Sequence, residues 1–299
     1  MELEFKKIGL EDRELFLPYL KRLNSRSSET TFANLFLWSR QYPTGYTRIG
    51  DTLLVRSLDE EVFAFPMGGN NLKAVVDVLT EYERERGNLL AFHCVTPEQY
   101  ALLEEQFPGR FQVKYDRDYA DYVYDAEKLA NLSGKKYHGK KNHVNRFFKT
   151  YPDWSYESVT ADNVEECFQM ALLWRRENGC EEDEEKNAEM CVALNSLRLF
   201  EELKLSGGLL RVRGEVVAFT IGEPACDDTF VVHIEKARAD VEGAYTVINQ
   251  QFVSHEVAGK YKYVNREDDV GTEGLRKAKL SYHPEFLVEK GYVTEEEKR

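Results

Sequence analysis

The feature that most constrains this chain is a repetition at about half its length. Leu53-Leu54-Val55-Arg56 is followed by Phe63-Ala64-Phe65, and Leu209-Leu210-Arg211-Val212-Arg213 by Val217-Ala218-Phe219, so that Phe219 stands 154 positions after Phe65 in a chain of 299 residues. Each pair reads as a β-hairpin, and each is followed by helix, strand, helix: 70–86, 89–95 and 97–106 in the first half, 243–257, 261–265 and 273–282 in the second. Order and spacing together indicate an internal duplication; chance similarity between two short hairpins is the alternative. The length exceeds one usual compact domain, which also favours two. Composition changes after DYADYVYDAEKL, which reads as one more strand, so the expected domains are 1–129 and 130–299.

Local signals fill in this outline. Leu10 to Leu23 has helical periodicity, and SSETTFANLFLWSRQYP starts with a cap at Ser28 and stops at a proline. YTRIGDTLLVRSLDEEVFAF alternates around Gly50-Asp51, the pattern of antiparallel strands joined by turns. Gly68-Gly69-Asn70 leads into a helix ending at Gly87, and Thr96-Pro97 opens another. Val144, Phe147, Phe148 and Tyr151 share one helical stripe.

Charge and cysteine usage then exclude several function classes. The net charge of −13 opposes indiscriminate binding to nucleic acid or anionic membranes. A local exception runs from Lys128 to Pro152, with seven Lys or Arg and no Asp or Glu. ENGCEEDEEKNAE, with seven acids in thirteen residues, reads as a solvated loop or helix start. Five widely spaced cysteines without a C-x-x-C pair argue for reduced thiols rather than a disulfide framework or zinc site. No metal-ligand spacing, Walker loop or nucleophile arrangement stands out, and the neighbours His93 and Cys94 point to opposite faces of a strand. The N-terminus carries neither a signal-peptide pattern nor a membrane-length apolar run, so a cytoplasmic location without an integral membrane segment is expected.

Candidate chemistry gathers in the C-terminal half. TFVVHIEKARADVEGAYTVINQQF reads as strand, loop and helix, and backbone N–H groups near Gly243 and Ala244 would offer an anion site at the helix start. His233 and Glu235 lie two apart on one strand face, with Lys236 on the other. They suit a general base for an attacking amine or hydroxyl, or else a polar face turned to solvent. In KYVNREDDVGTEGLRKAKLSYHP, Glu267 and Asp268 suit an ammonium group, and Arg276 and Lys279 suit phosphate or carboxylate on a helix whose buried stripe is Leu275, Ala278 and Tyr282. A solvated loop followed by an ordinary amphipathic helix is the other reading.

The runs GKKYHGKKNHVNRF, HIEKA with downstream GAY and N-Q-Q-F, NREDDVGTEGLRKAKLSYHP and TFANLFLW resemble the C-terminal catalytic region of phosphatidylglycerol lysyltransferases and its stand-alone soluble relatives. The resemblance implies an α/β (α+β) fold of two tandem GNAT-like (acyl-CoA N-acyltransferase) domains, each a mixed sheet flanked by helices. Fem-type peptidyltransferases, which take aminoacyl groups from tRNA, share this fold. The implied activity is aminoacyl transfer from aminoacyl-tRNA to a hydroxyl or amine acceptor. A GNAT-type N-acetyltransferase using acyl-CoA and a non-catalytic ligand-binding module are the alternatives. Two departures matter: the chain lacks a transmembrane region, and the coenzyme A loop is only the degenerate Asp240-Val241-Glu242-Gly243-Ala244-Tyr245. Carried over by residue, the resemblance marks Glu235, His233 and Tyr282 as catalytic, and Lys236, Tyr245, Asn249, Asn265, Glu267, Asp268, Arg276 and Lys279 as substrate-binding. Gly243 and Ala244 form the anion loop, and Lys140, Lys141 and Asn142 contact tRNA. No metal is expected from the residue spacing, and the resemblance implies aminoacyl-tRNA or acyl-CoA as donor and a small-molecule, lipid or peptide acceptor.

Overall fold

The computed structural model describes residues 2–296. The chain divides into two compact units. One comprises the N-terminal part through Asp121 with Asp268–Glu273 and the segment from Leu287 onward; the other comprises Tyr122–Glu267 and Gly274–Phe286.

The strands are β1 (Lys6–Lys7), β2 (Thr44–Ile49), β3 (Thr52–Ser57), β4 (Val62–Ala64), β5 (Met67–Gly68), β6 (Ala91–Val95), β7 (Phe111–Tyr115), β8 (Asp121–Asp125), β9 (Ser155–Ser158), β10 (Ser206–Val212), β11 (Glu215–Cys226), β12 (Thr229–Ala237), β13 (Tyr263–Asn265), β14 (Phe286–Val288) and β15 (Gly291–Glu295). The helices are α1 (Arg13–Leu23), α2 (Phe32–Trp38), α3 (Leu72–Arg84), α4 (Pro97–Gln106), α5 (Ala126–Asn131), α6 (His138–Thr150), α7 (Val164–Glu177), α8 (Glu184–Arg198), α9 (Ala244–Phe252) and α10 (Glu273–Leu280).

The first sheet has the order β1-β2-β3-β4-β6-β15-β7, with β5 on β3, and the second has β9-β10-β11-β12-β13-β8-β14. The orders correspond place by place. Each sheet contains a parallel pair, β4 with β6 and β12 with β13, bridged by a crossover through α3 or α9. In each, the next strand comes from a distant part of the chain: β15 enters between β6 and β7, and β8 between β13 and β14. These are two tandem copies of one arrangement, each a mixed sheet flanked by helices.

The duplication is therefore present, but its register differs from the one read from the letters. The hairpin of Leu53–Phe65 corresponds to β11–β12, not to β10–β11, because β12 is the strand that precedes the crossover helix. Val217-Ala218-Phe219 resembles Phe63-Ala64-Phe65 because both are short apolar stretches in or beside strands with their phenylalanines buried, which short apolar patterns cannot distinguish. DYADYVYDAEKL also splits: the strand ends at Asp125, whose side chain accepts from the Lys128 N–H and so caps α5.

Local chemistry sets the remaining boundaries. The Thr96 hydroxyl and the Gln99 side chain cap α4 reciprocally, with Pro97 in its first turn. The first unit buries Leu54, Phe63, Val76, Leu79, Phe92 and Val293 together. The second packs Val144 and Phe147 of α6, Val247 and Ile248 of α9, and Leu210 and Val217 of the sheet. Apolar stripes at helical spacing meet alternating strand faces, and this burial is the main favourable term in folding each unit.

Candidate functional site

The site begins where two parallel strands part. Register between β12 and β13 holds only for Thr229–Tyr263, Phe230–Val264 and Val231–Asn265, while β12 continues to Ala237. Opposite β11, Gly222 faces Val232 and Ile221 faces Ile234, so His233 is the extra residue of a β-bulge. Beyond this bulge Glu235 faces the chain leaving β13.

There Glu235 Oε1 accepts from Arg266 Nη2 at 2.7 Å, and Glu235 Oε2 accepts from Asn249 Nδ2 of α9 at 3.1 Å. The Arg266 guanidinium lies 4.9 Å from the centre of the Tyr282 ring, and the Lys140 ammonium lies 3.9 Å from that same centre. Tyr124 meets Tyr282 edge-on and donates from its hydroxyl to the Lys279 carbonyl at 2.8 Å. Lys279 in turn donates from Nζ to the Arg266 carbonyl at 2.5 Å, clamping the turn that carries the arginine. Among the described residues, Arg266 Nη1 and Asn249 Oδ1 are buried without a hydrogen-bond partner. A donor and an acceptor thus stand unused beside one carboxylate, which suits a ligand carrying both kinds of group.

Burial pushes the Tyr282 hydroxyl above its ordinary pKa although Arg266 opposes the shift, so the phenol keeps its proton at neutral pH. Burial, reinforced by Arg266 and opposed by Glu235, pulls the Lys140 ammonium below its usual value.

His233 stands beside this cluster. Its Nδ1 lies 2.7 Å from Glu267 Oε1 and its Nε2 lies 3.2 Å from Glu223 Oε1. Burial opposes its charge, but two carboxylate hydrogen bonds overcome that and push it up to about 10. With both ring nitrogens engaged by carboxylates, His233 ties the bulge of β12 to the loop after β13.

Other sequence candidates divide between the cluster and its surroundings. Asn265 is buried and accepts from the Glu267 N–H at 2.7 Å, which stabilises the left-handed turn at Glu267 (φ 57°). Asp268 belongs to the first unit, where it pairs with Lys290 at 3.0 Å beside Asp121 and Glu29. Lys236 is buried against Trp174, 4.1 Å from the ring centre, and paired with Glu189 at 2.6 Å. Tyr245 is more exposed, its hydroxyl near Trp174 and the Ala237 backbone.

The stripe expected on α10 is also rotated. Leu275 and Ala278 are exposed and Lys279 is buried with Tyr282, where its Nζ holds the Arg266 carbonyl, while Arg276 stands half exposed. The anion loop is weaker than expected: Gly243 takes φ 88°, yet the Ala244 N–H is spent on the Val241 carbonyl at 3.1 Å. On α6, Lys141 and Asn142 are exposed whereas Lys140 turns toward Tyr282. Sequence reasoning passed over Arg266, Tyr124, Trp174, Glu189 and Glu223. Arg266 had a signal, since it sits inside the NRED run between two residues that were selected.

The family described as phosphatidylglycerol lysyltransferase, C-terminal, matches residues 20–294. The chain belongs to this family. A solved structure of a conserved protein of unknown function from Bacteroides thetaiotaomicron is 38% identical, covers 99% of this chain and 100% of its own, and has a TM-score of 0.93. The C-terminal domain of a lysylphosphatidylglycerol synthetase homologue from Agrobacterium fabrum shares the fold at 14% identity, with a TM-score of 0.69 over 96% of this chain and 92% of that one. An uncharacterised protein from Mycoplasmoides gallisepticum is 23% identical over 176 residues, which is 58% of this chain; the match spans about half (55%) of that relative's length. Among the described residues, no helix of this family member is long and apolar enough to cross a membrane.

Proposed function

We propose that this family member is an acyltransferase that moves an aminoacyl group from aminoacyl-tRNA to a hydroxyl or amine acceptor, working in the cytoplasm through the second of two repeats divided near residues 129 and 130. The observation that carries this reading is the unsatisfied pair within the Glu235 cluster, Arg266 Nη1 and Asn249 Oδ1. An aminoacyl ester supplies what both atoms lack. Its ammonium donates to Asn249 Oδ1 beside Glu235, and its carbonyl oxygen, which gains negative charge in the tetrahedral intermediate, accepts from Arg266.

In this reading Glu235 takes the proton of the attacking hydroxyl or amine, the nucleophile adds to the ester carbonyl, and the bond to the ribose oxygen breaks. Tyr282, whose hydroxyl remains protonated at neutral pH, gives its proton to that oxygen and recovers one from Glu235 through the acceptor site. Holding donor and acceptor together contributes much of the rate. Lys140, Lys141 and Asn142, with the basic segment around them, contact the tRNA. The used N–H at Ala244 and the degenerate loop favour this donor over acyl-CoA.

The test is binding of labelled aminoacyl-tRNA and uncharged tRNA with coenzyme A as competitor, followed by release of the aminoacyl group to added hydroxyl and amine acceptors. Tighter binding of the charged form, insensitivity to coenzyme A, and a fall in transfer of about 100-fold or more in Glu235→Gln support the reading. Equal affinity for both tRNAs with displacement by coenzyme A would sink it.

A further inference from the structure

Where β12 and β13 part, two side-chain rungs take over from the backbone ladder. The last register pair is Val231 with Asn265. Beyond it Glu235 meets Arg266 at 2.7 Å, and His233 Nδ1 meets Glu267 Oε1 at 2.7 Å. Arg266 and Glu267 are consecutive, so both rungs end on one short piece of chain. Its backbone is held by Tyr122, whose carbonyl accepts from the Arg266 N–H and whose N–H donates to the Glu267 carbonyl, both at 3.0 Å. The guanidinium itself grips Glu235 through Nη2 and leaves Nη1 without a hydrogen-bond partner among the described residues. Its direction therefore depends on the turn that carries it, where Glu267 takes a left-handed φ of 57°.

Glu223 stands behind the second rung. It is the one ionisable residue in the buried run 216–223 of β11. Its side chain is 10% exposed and that of His233 8%, and its Oε1 lies 3.2 Å from His233 Nε2. The ladder does not need this carboxylate, because Glu223 and Val231 pair through their backbones. An apolar side chain would gain by burial at this position, whereas a carboxylate is desolvated at a cost. What the carboxylate supplies is direction. An imidazole bonded at one nitrogen can still swing about its broad ring torsion. Bonded at both, the ring is fixed, and it fixes the Glu267 carboxylate on its other side.

Building on the aminoacyl-transfer reading, we propose that Glu223 is a positioning residue for that reaction: through His233 and Glu267 it sets the direction in which Arg266 presents its guanidinium beside Glu235. Glu223 is too enclosed to meet donor or acceptor itself. Its effect falls on the ester oxygen that Arg266 meets, and that contact is strongest when the oxygen carries the charge of the tetrahedral intermediate. Loss of Glu223 therefore slows the bound complex and leaves the affinity for the donor nearly as it was.

The experiment uses the full chain and two readouts: transfer from aminoacyl-tRNA to an added amine, and proton exchange of the arginine side chains followed by nitrogen NMR. Glu223→Leu removes the outer acceptor and leaves His233 and Glu267 to neutralise each other. It is expected to lower kcat about tenfold at unchanged KM and to speed exchange of the Arg266 guanidinium protons about tenfold. Glu223→Gln keeps an oxygen for His233 Nε2 and should restore most of both. In a His233→Ala background Glu223→Leu should cost nothing further, since the two residues act as one unit. Parental kcat and exchange in Glu223→Leu would overturn the proposal, as would equal losses in Glu223→Gln or additive losses in the double variant. The outcome separates from that of the proposed function. Faster Arg266 exchange in Glu223→Leu, restored in Glu223→Gln, in a protein that transfers nothing keeps Glu223 as the group that positions Arg266 and removes the transferase reading. Transfer with kcat and exchange independent of Glu223 does the reverse.

Discussion

At the scale of the residue, His233 shows two carboxylates reversing what burial alone does to an imidazole. Glu223 and Glu267 hold it protonated and push it up to about 10, from an ordinary 6.5. A folded-state pKa above the unfolded one adds stability that is complete below about pH 6.5 and is lost as pH rises toward 10. His233→Gln preserves much of the shape and removes this linkage. The gap in melting temperature between parent and variant should therefore be widest near pH 6 and narrow steadily to pH 9.5; a constant gap would mean that the imidazole is not protonated. Glu235, Asn249 and Tyr282 were legible as polar residues near a strand, loop and helix junction. Arg266 was less so, because its importance arises from meeting Glu235 across 31 positions of chain, a contact that no local pattern announces.

At the scale of the element, the bulge in β12 is what re-aims the site. The strand was legible from its β-branched and aromatic run, and its alternation was read as uninterrupted. The ladder to β11 instead skips His233, opposite Gly222 and Ile221. Gly222 permits this: a Cβ there would fall on the Val231 carbonyl and against the Phe230 ring. Gly222→Ala is expected to cost about 1–3 kcal/mol or more, because the obstruction is backbone that cannot swing away. Denaturant unfolding measures the loss, and amide exchange should localise it to β11 and β12. Wild-type protection in those strands would show that the ladder tolerates the methyl group. On α10 a register error had the same origin: in a helix with four cations and acids among eight residues, hydrophobicity alone did not reveal that Lys279 turns inward to hold the Arg266 carbonyl.

At the scale of the whole molecule, each sheet takes one strand from far along the chain. Val293 of β15 is fully buried between β6 and β7. Deletion from Gly291 onward would leave both neighbours with open edges and empty the centre of the first unit's core. Amide exchange is expected to lose protection across β6 and β7 and to keep it across β11 and β12; protection retained in β6 would show that the first sheet closes without β15. The sequence by itself determined the two-copy organisation, the element types, the basic segment and the C-terminal position of the candidate chemistry. These follow from propensity, periodicity and charge, which act over a few residues or add along the chain. Tertiary structure alone decided the register of the duplication, the exchanged positions of β8 and β15, the pairing of His233 with two carboxylates and the meeting of Glu235 with Arg266 beside the Tyr282 ring. Each depends on which distant groups share a desolvated space, where pairing and burial energies are largest and where spacing along the chain carries no information.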